Sequence, residues 1–236
     1  MRTLVEVVAR RGPGGRTVLP VVRATGQVAV RRTGQHRIHL VAKAFGPLGG
    51  DAVALRLHVE AGARLEVRSV AAAVCLPARD PAPSTSELYA EVGLGGRLDV
   101  LLEPTIVAAR AQHHGLTHAA LAADARVRIT ERIVLGRHDE EPGRWRGTTR
   151  VQREGRPVFH TTVDLGPGSA MWRPPTTPRA YATDLVFASE LADTGVRSRT
   201  GPTALLLPLP GGRVATAWGE RLQDVLVNIS DLLAEV

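Results

Sequence analysis

Two carboxylates stand where carboxylates are costly. Glu131 shares the period-two phase of Val127, Ile129, Ile133 and Leu135, so one unbroken strand would aim it at the apolar side. Asp51 falls on the phase of Val53, Leu55, Leu57 and Val59, at the start of their segment. A buried carboxylate needs a partner, a proton, a metal or water. Two readings follow. A bulge or an arginine partner neutralises the problem, or the carboxylates line an internal polar path suited to a cation. Imidazoles form the second cluster: His113, His114 and His118 lie within Gln112–His118. Imidazole suits nickel, copper and zinc. A stable site needs several convergent ligands, which one local loop rarely supplies. The segment is therefore either a solvent-facing loop without metal or a loop that touches metal transiently.

Reaction centres are absent from the motifs. There is no Gly-x-Ser-x-Gly elbow, no phosphate-binding loop ending in Gly-Lys-Ser/Thr, and no His-Glu-x-x-His. Gly93-Leu94-Gly95-Gly96 lies between strand-like segments rather than before a helix, and reads as a hairpin turn. Cys75 follows the apolar run Ala71–Val74 with no base beside it, and reads as a buried small hydrophobe. A hydrolase built on His113 or His114 with Asp124 lacks a nucleophile. The expectation is a chain that is not an enzyme.

The elements that must position these residues are mostly strands. Alternation runs through Val53–Val59, Leu65–Val67, Leu98–Leu102, Val127–Leu135, Arg150–Gln152 and Val158–Leu165. Turn signals recur roughly every 8–12 residues, which predicts an all-β fold, either sandwich-like or a helical stack of short strands. Leu205–Leu209 carries Pro208 and reads as an edge strand. Only the C-terminus changes period: Leu222, Val225, Leu226, Ile229, Leu232 and Leu233 recur at helical spacing, predicting an amphipathic helix over Ala217–Ala234. That helix either closes one end of the β core or docks a partner through Leu222, Val225, Leu226, Ile229 and Leu233. The Pro- and Gly-rich stretch 166–178 is the candidate flexible loop.

A length of 236 residues suits one β domain spanning 1–236. The net charge of +7 is carried by arginine, with Lys43 the sole lysine. Arginines scattered as Arg10-Arg11 and Arg31-Arg32, with little aromatic interleaving, weigh against a nucleic-acid footprint. A single cysteine allows no internal disulfide and fits a reducing cytoplasm. No run approaches the roughly 18 apolar residues of a spanning helix.

In order along the chain, Phe45-Gly46-Pro47-Leu48-Gly49-Gly50-Asp51, Val59–Val67, Leu98–Val107, Leu121–Arg126, Glu131–Arg137 and Gly155-Arg156-Pro157 resemble the UreD family of urease accessory proteins, called UreH in some bacteria. The resemblance covers roughly residues 25 to 165 and implies a largely β scaffold in urease maturation. It implies binding to UreF, through it to the GTPase UreG, and to the urease apoprotein. Nickel is then transient cargo rather than a resident cofactor, and no nucleic acid or membrane is expected as a partner. Carried over residue by residue, Asp51 and Glu131 match the family's acidic positions. Glu103 sits beside Pro104, which occupies the usual glutamate position, and either Glu140 or Glu141 is the counterpart of a further glutamate. These five carboxylates are the candidate nickel path. The competing expectations are a pure adaptor without nickel passage and a basic nucleic-acid-binding β domain.

Overall fold

The computed structural model describes residues 1–79, 82–170, 172–174, 178–192, 199–200 and 203–234. The chain opens with β1 (Arg2–Arg11), β2 (Thr17–Ala24), β3 (Val28–Arg32) and β4 (Arg37–Ala42). From there it coils between two sheets. β5 (Ala52–Val59) lies in the first, β6 (Arg64–Ser69) in the second, and the short β7 (Ala73–Cys75) leads back to β8 (Ser84–Val92) beside β5. The next coil is β9 (Arg97–Leu101), β10 (Thr105–Val107) and β11 (Gln112–Leu121), and the last is β12 (Arg126–Leu135) and β13 (Arg144–Arg153). Parallel pairing stacks β1, β5, β8, β11 and β13 in one sheet, and β4, β6, β9 and β12 in the other. Stacked residues such as Val53, Ser86, Gly115 and Gly147 recur at roughly thirty-residue intervals, the spacing of a solenoid turn.

Antiparallel strands finish both sheets. β14 (Arg156–Leu165) folds back on β13 through Glu154 and Gly155, both at positive φ (51° and 72°). β15 (Ala180–Phe187), β18 (Gly212–Gly219), β17 (Ala204–Leu209) and β16 (Arg199–Thr200) extend the second sheet in that order. Two-residue β16 covers only Leu205 and Leu206 of β17, so Pro208 sits near the sheet edge, where a missing N–H is tolerated.

The inner faces explain the alternation. Val7, Leu57, Ala90, Ala119 and Val151 form one transverse row of the first sheet. Val67, Val100, Ile129 and Leu185 face them from the second. All nine are buried, and each large one contributes about 1.5–3 kcal/mol on leaving water. Because the coil closes sheet on sheet, outer faces stay polar although the strands are parallel, where helices usually cover both faces. The segments Glu60–Ala63 and Gly93–Gly96 prove to be arches between sheets, and this corrects the hairpin expected at Gly93–Gly96. Alternation reports which face is wet but not which strand is the neighbour. The arches bond to one another along the stack instead: Gly62 N–H donates to Leu94 O at 2.8 Å, and Gly95 N–H to Asp124 Oδ1 at 2.7 Å.

The helix, α1 (Leu222–Ala234), starts later than the periodicity suggests, because Ala217 belongs to β18. Ala180, Ala182, Ala204, Ala215 and Ala217 make a smooth outer patch on which Val225 and Ile229 are buried. The face expected to dock a partner is thus, for Val225 and Ile229, turned onto the chain's own sheet. Leu222, Leu226 and Leu233 remain partly exposed. Of the stretch 166–178, residues 171 and 175–177 lie outside the described residues. Its start is ordered: Gly166, at φ 95°, packs on Gly143 so closely that no Cβ would fit.

Candidate functional site

The interior is not apolar throughout. One buried cluster, which includes Val7, Leu57, Val100 and Ile129, fills one end of the solenoid. A second, Cys75, Val107, Ala111, Ile133, Leu135, Trp145, Leu165 and Tyr181, fills the other. Between them runs a polar belt. The first sheet contributes Ser86, Gly115 and Gly147 in one row, and Leu88, Thr117 and Thr149 in the next. The second contributes Glu131, with Thr183 and Thr216 beside it in register. Ser86, Leu88, Gly115, Thr117, Glu131, Thr149, Thr183 and Thr216 face inward yet keep part of their surface accessible.

Glu131 is the centre of the belt. β12 runs unbroken through it, and its neighbours in phase, Ile129 and Ile133, are buried. A Cβ built on Gly115 would lie 3.4 Å from Glu131 Oε1, 3.6 Å from Trp145 Nε1 and 3.8 Å from Ser86 Oγ. The carboxylate therefore reaches across the gap to the opposite sheet, into room left by glycine. Protein crowds it from every side, and burial pushes its pKa up to about 7. Its residual accessibility means the space beside it is wide enough for water. Among the described residues it has no ion pair and no hydrogen bond. Tyr181, buried nearby, has its phenol pushed well above the usual range by burial and by the Glu131 charge.

His113 occupies the adjoining row, beside Ser84 and Trp145. Its Nδ1 lies 2.9 Å from Ser84 Oγ and its Nε2 3.0 Å from Ser86 Oγ. Burial, and then the neighbouring His114, lowers its pKa to about 4, so the ring is neutral at pH 7. Cys75 has no exposed surface, and burial, only partly offset by a hydrogen bond with Ser84, pushes its thiol up to about 12. The thiolate is the reactive form, so the native chain at pH 8 is expected to resist iodoacetamide for hours and to be labelled at once in denaturant. Intact-mass spectrometry reads both.

The other candidates do not converge on Glu131. Asp51 is buried, but Oδ1 meets the ammonium of Met1 and Oδ2 accepts from Gln27 Nε2 at 2.8 Å and from Leu48 N–H at 3.0 Å. Burial would raise its pKa; the ammonium, the Leu48 amide and Gln27 outweigh that and lower it. Glu140 is gripped by Arg137, which donates from its backbone N–H and Nε to Oε2 and from Nη2 to Oε1, and this holds it at about 2. Glu141 and Glu103 are exposed. The three histidines lie on a strand, not the expected loop. His113 points in, while His114 and His118 point out, the latter edge-on to Tyr89 at 6.2 Å. The loop reading failed because His113, Gly115 and Thr117 occupy inward positions facing the belt, where apolar residues would have marked a strand. No group of three or more His, Cys, Asp and Glu suited to a metal occurs among the described residues. Ser86, Gly115, Gly147 and Tyr181 were not anticipated; a break in the apolar phase at Ser84–Ser86, Gly115–Thr117 and Gly147–Thr149 was their only signal.

A two-sheet β-solenoid with an inward carboxylate in a polar belt, and with a C-terminal helix packed on the outer face of the second sheet, defines the class. Residues 3–226 match the family described as UreD urease accessory protein, and the chain belongs to that family. It is 35% identical to the urease accessory protein UreD of Frankia alni, over 89% of this chain and 85% of that protein. It is also 35% identical to UreD of Streptomyces avermitilis, over 89% and 87%. UreD of Parafrankia sp. is 44% identical over 66% of this chain, a match spanning only 54% of that protein's length. No helix among the described residues is long and apolar enough to cross a membrane.

Proposed function

We propose that this chain is a non-enzymatic scaffold of urease maturation in the cytoplasm, and that it passes nickel through its interior. In this reading it joins a UreF–UreG complex to apo-urease, and the polar belt at Glu131 is the passage. The observation that supports this is Glu131 itself: an inward carboxylate that, among the described residues, has no ion pair and no hydrogen bond, and that keeps part of its surface accessible. A conduit must bind its ion strongly enough to admit it and weakly enough to release it. One carboxylate surrounded by hydroxyls meets that requirement better than a closed set of ligands. Asp51 and Glu140 already serve ammonium and guanidinium, and in this reading they hold the structure.

The test is nickel-dependent urease activity in cells co-expressing urease and its accessory proteins. Glu131→Gln removes the charge, and Gly115→Val fills the space before it, with Gly115→Ala as the milder control. We expect Glu131→Gln and Gly115→Val each to lower activation by about tenfold or more, the scale of losing one charged interaction, while the complex still co-purifies. Full activation by both variants would leave the pure-adaptor reading standing.

A further inference from the structure

The outer face of the first sheet carries a pattern that no local stretch of sequence displays. Register aligns Arg56, Tyr89, His118, Arg150 and His160 in one row across β5, β8, β11, β13 and β14. Adjacent strands lie about 4.8 Å apart, so the row runs for about 19 Å. His114 and Arg146 stand side by side in a parallel row, four residues back along the same strands. Between the rows lie Glu87, Leu116, Thr148 and Thr162, with the two threonine hydroxyls 3.0 Å apart, so the surface there is uncharged from Leu116 to Thr162 and carries one carboxylate at Glu87.

The positive groups of this face are not spent on the chain's own acids. Arg56 and Arg146 have no hydrogen bond or ion pair among the described residues, and Arg150 Nε reaches only His160 Nε2, at 3.4 Å. Three nearby carboxylates are engaged elsewhere, Asp164 with Arg144 at 2.8 Å, Glu91 with His58 at 3.0 Å and Glu6 with Arg23 at 3.7 Å, while Glu87 lies within the face and interacts with Tyr89. Arg56, Arg146, Arg150, His114 and His160 are all exposed. Charge complementarity of this kind steers association and fixes register more than it adds bulk affinity.

We infer that this face of the first sheet docks an acidic segment of a partner protein. A nucleic acid fits it less well. Glu87 and Glu91 flank Tyr89 on β8 and interrupt the stripe with negative charge, which repels a continuous phosphate backbone. A protein surface can set its own arginines or hydroxyls opposite those two carboxylates. The inference is independent of nickel passage and stands or falls separately from it.

The purified chain is titrated with a fluorescent glutamate-rich peptide and, separately, with a short DNA duplex, at low and high salt. Arg146→Glu/Arg150→Glu reverses the stripe. Arg31→Glu/Arg32→Glu changes net charge equally at exposed positions of β3 in the other sheet. The stripe reversal is expected to weaken peptide binding about tenfold or more, and the control about twofold or less, with salt weakening wild-type binding steeply. Arg146→Gln/Arg150→Gln, the gentler variant, should fall between. Equal losses from both reversals would mean net charge alone is responsible and overturn the docking face. Tighter binding of the duplex, lost on the same stripe reversal, would overturn the acidic-protein partner.

Discussion

Glu131→Gln is expected to be more stable than the parent chain at pH 8, by up to about 3 kcal/mol, and equal to it near pH 4. The carboxylate titrates near 4.5 when unfolded and near 7 when folded. Between those values the folded chain holds a proton that the unfolded chain has released. Stability therefore falls as pH rises from about 4.5 to about 7, and stays reduced above. Glutamine keeps the shape and cannot ionise, so that part of the pH dependence should vanish. Urea unfolding of both chains at pH 4.5, 6 and 8 measures it. Parallel curves at all three values would mean that Glu131 is solvated like a surface carboxylate. A stabilised variant that fails to activate urease would join the two results, because it would show that the Glu131 charge serves activation at a cost to stability.

Gly147→Ala is expected to cost about 3–5 kcal/mol, comparable to truncating a core tryptophan. A Cβ at position 147 would fall inside the van der Waals envelope of Cζ2 and Cη2 of the Trp145 ring, and against Cε2. Trp145 is 1% exposed and sits at 5.5 Å, centroid to centroid, from Tyr181. The six-membered ring of the indole occupies the space that glycine leaves free at position 147, and one methyl group evicts it. Thermal unfolding gives the loss of stability, and a red shift of tryptophan emission would show the indole entering water. A variant with unchanged Tm and emission would show that the ring has another place to go.

Much of the architecture was legible because alternation and turn residues constrain one face at a time. Glu131 could be placed from its phase alone, since β12 has no bulge. What the residues could not reveal was which strands are neighbours. The stripe of Arg56, His118 and Arg150 is assembled by stacking, from positions far apart in the chain. The histidines misled for a related reason: an inward row that faces a polar belt has no apolar residues to advertise it. Asp51 shared the correct phase, but its partners, Met1 and Gln27, come from strands and turns that local pattern does not connect to it. The helix was placed in kind but not in bounds, because alanine suits both periods. Ala215 and Ala217 in a strand leave no mark that separates them from the start of a helix.

The stacked coils bear on how the chain is made. Each strand of the first sheet finds its parallel neighbour only after the chain has visited the second, so no coil can close as a local hairpin would. Pairings at such sequence separation are slow to form. Until β13 and β14 are synthesised, the growing end of the stack presents open backbone donors and acceptors, and such an edge invites other chains. The closing hairpin, with Pro157 on its last strand, finishes the first sheet with a strand that cannot accept an unlimited succession of partners. Synthesis order and the finishing hairpin together make β13 and β14 the latch of the solenoid.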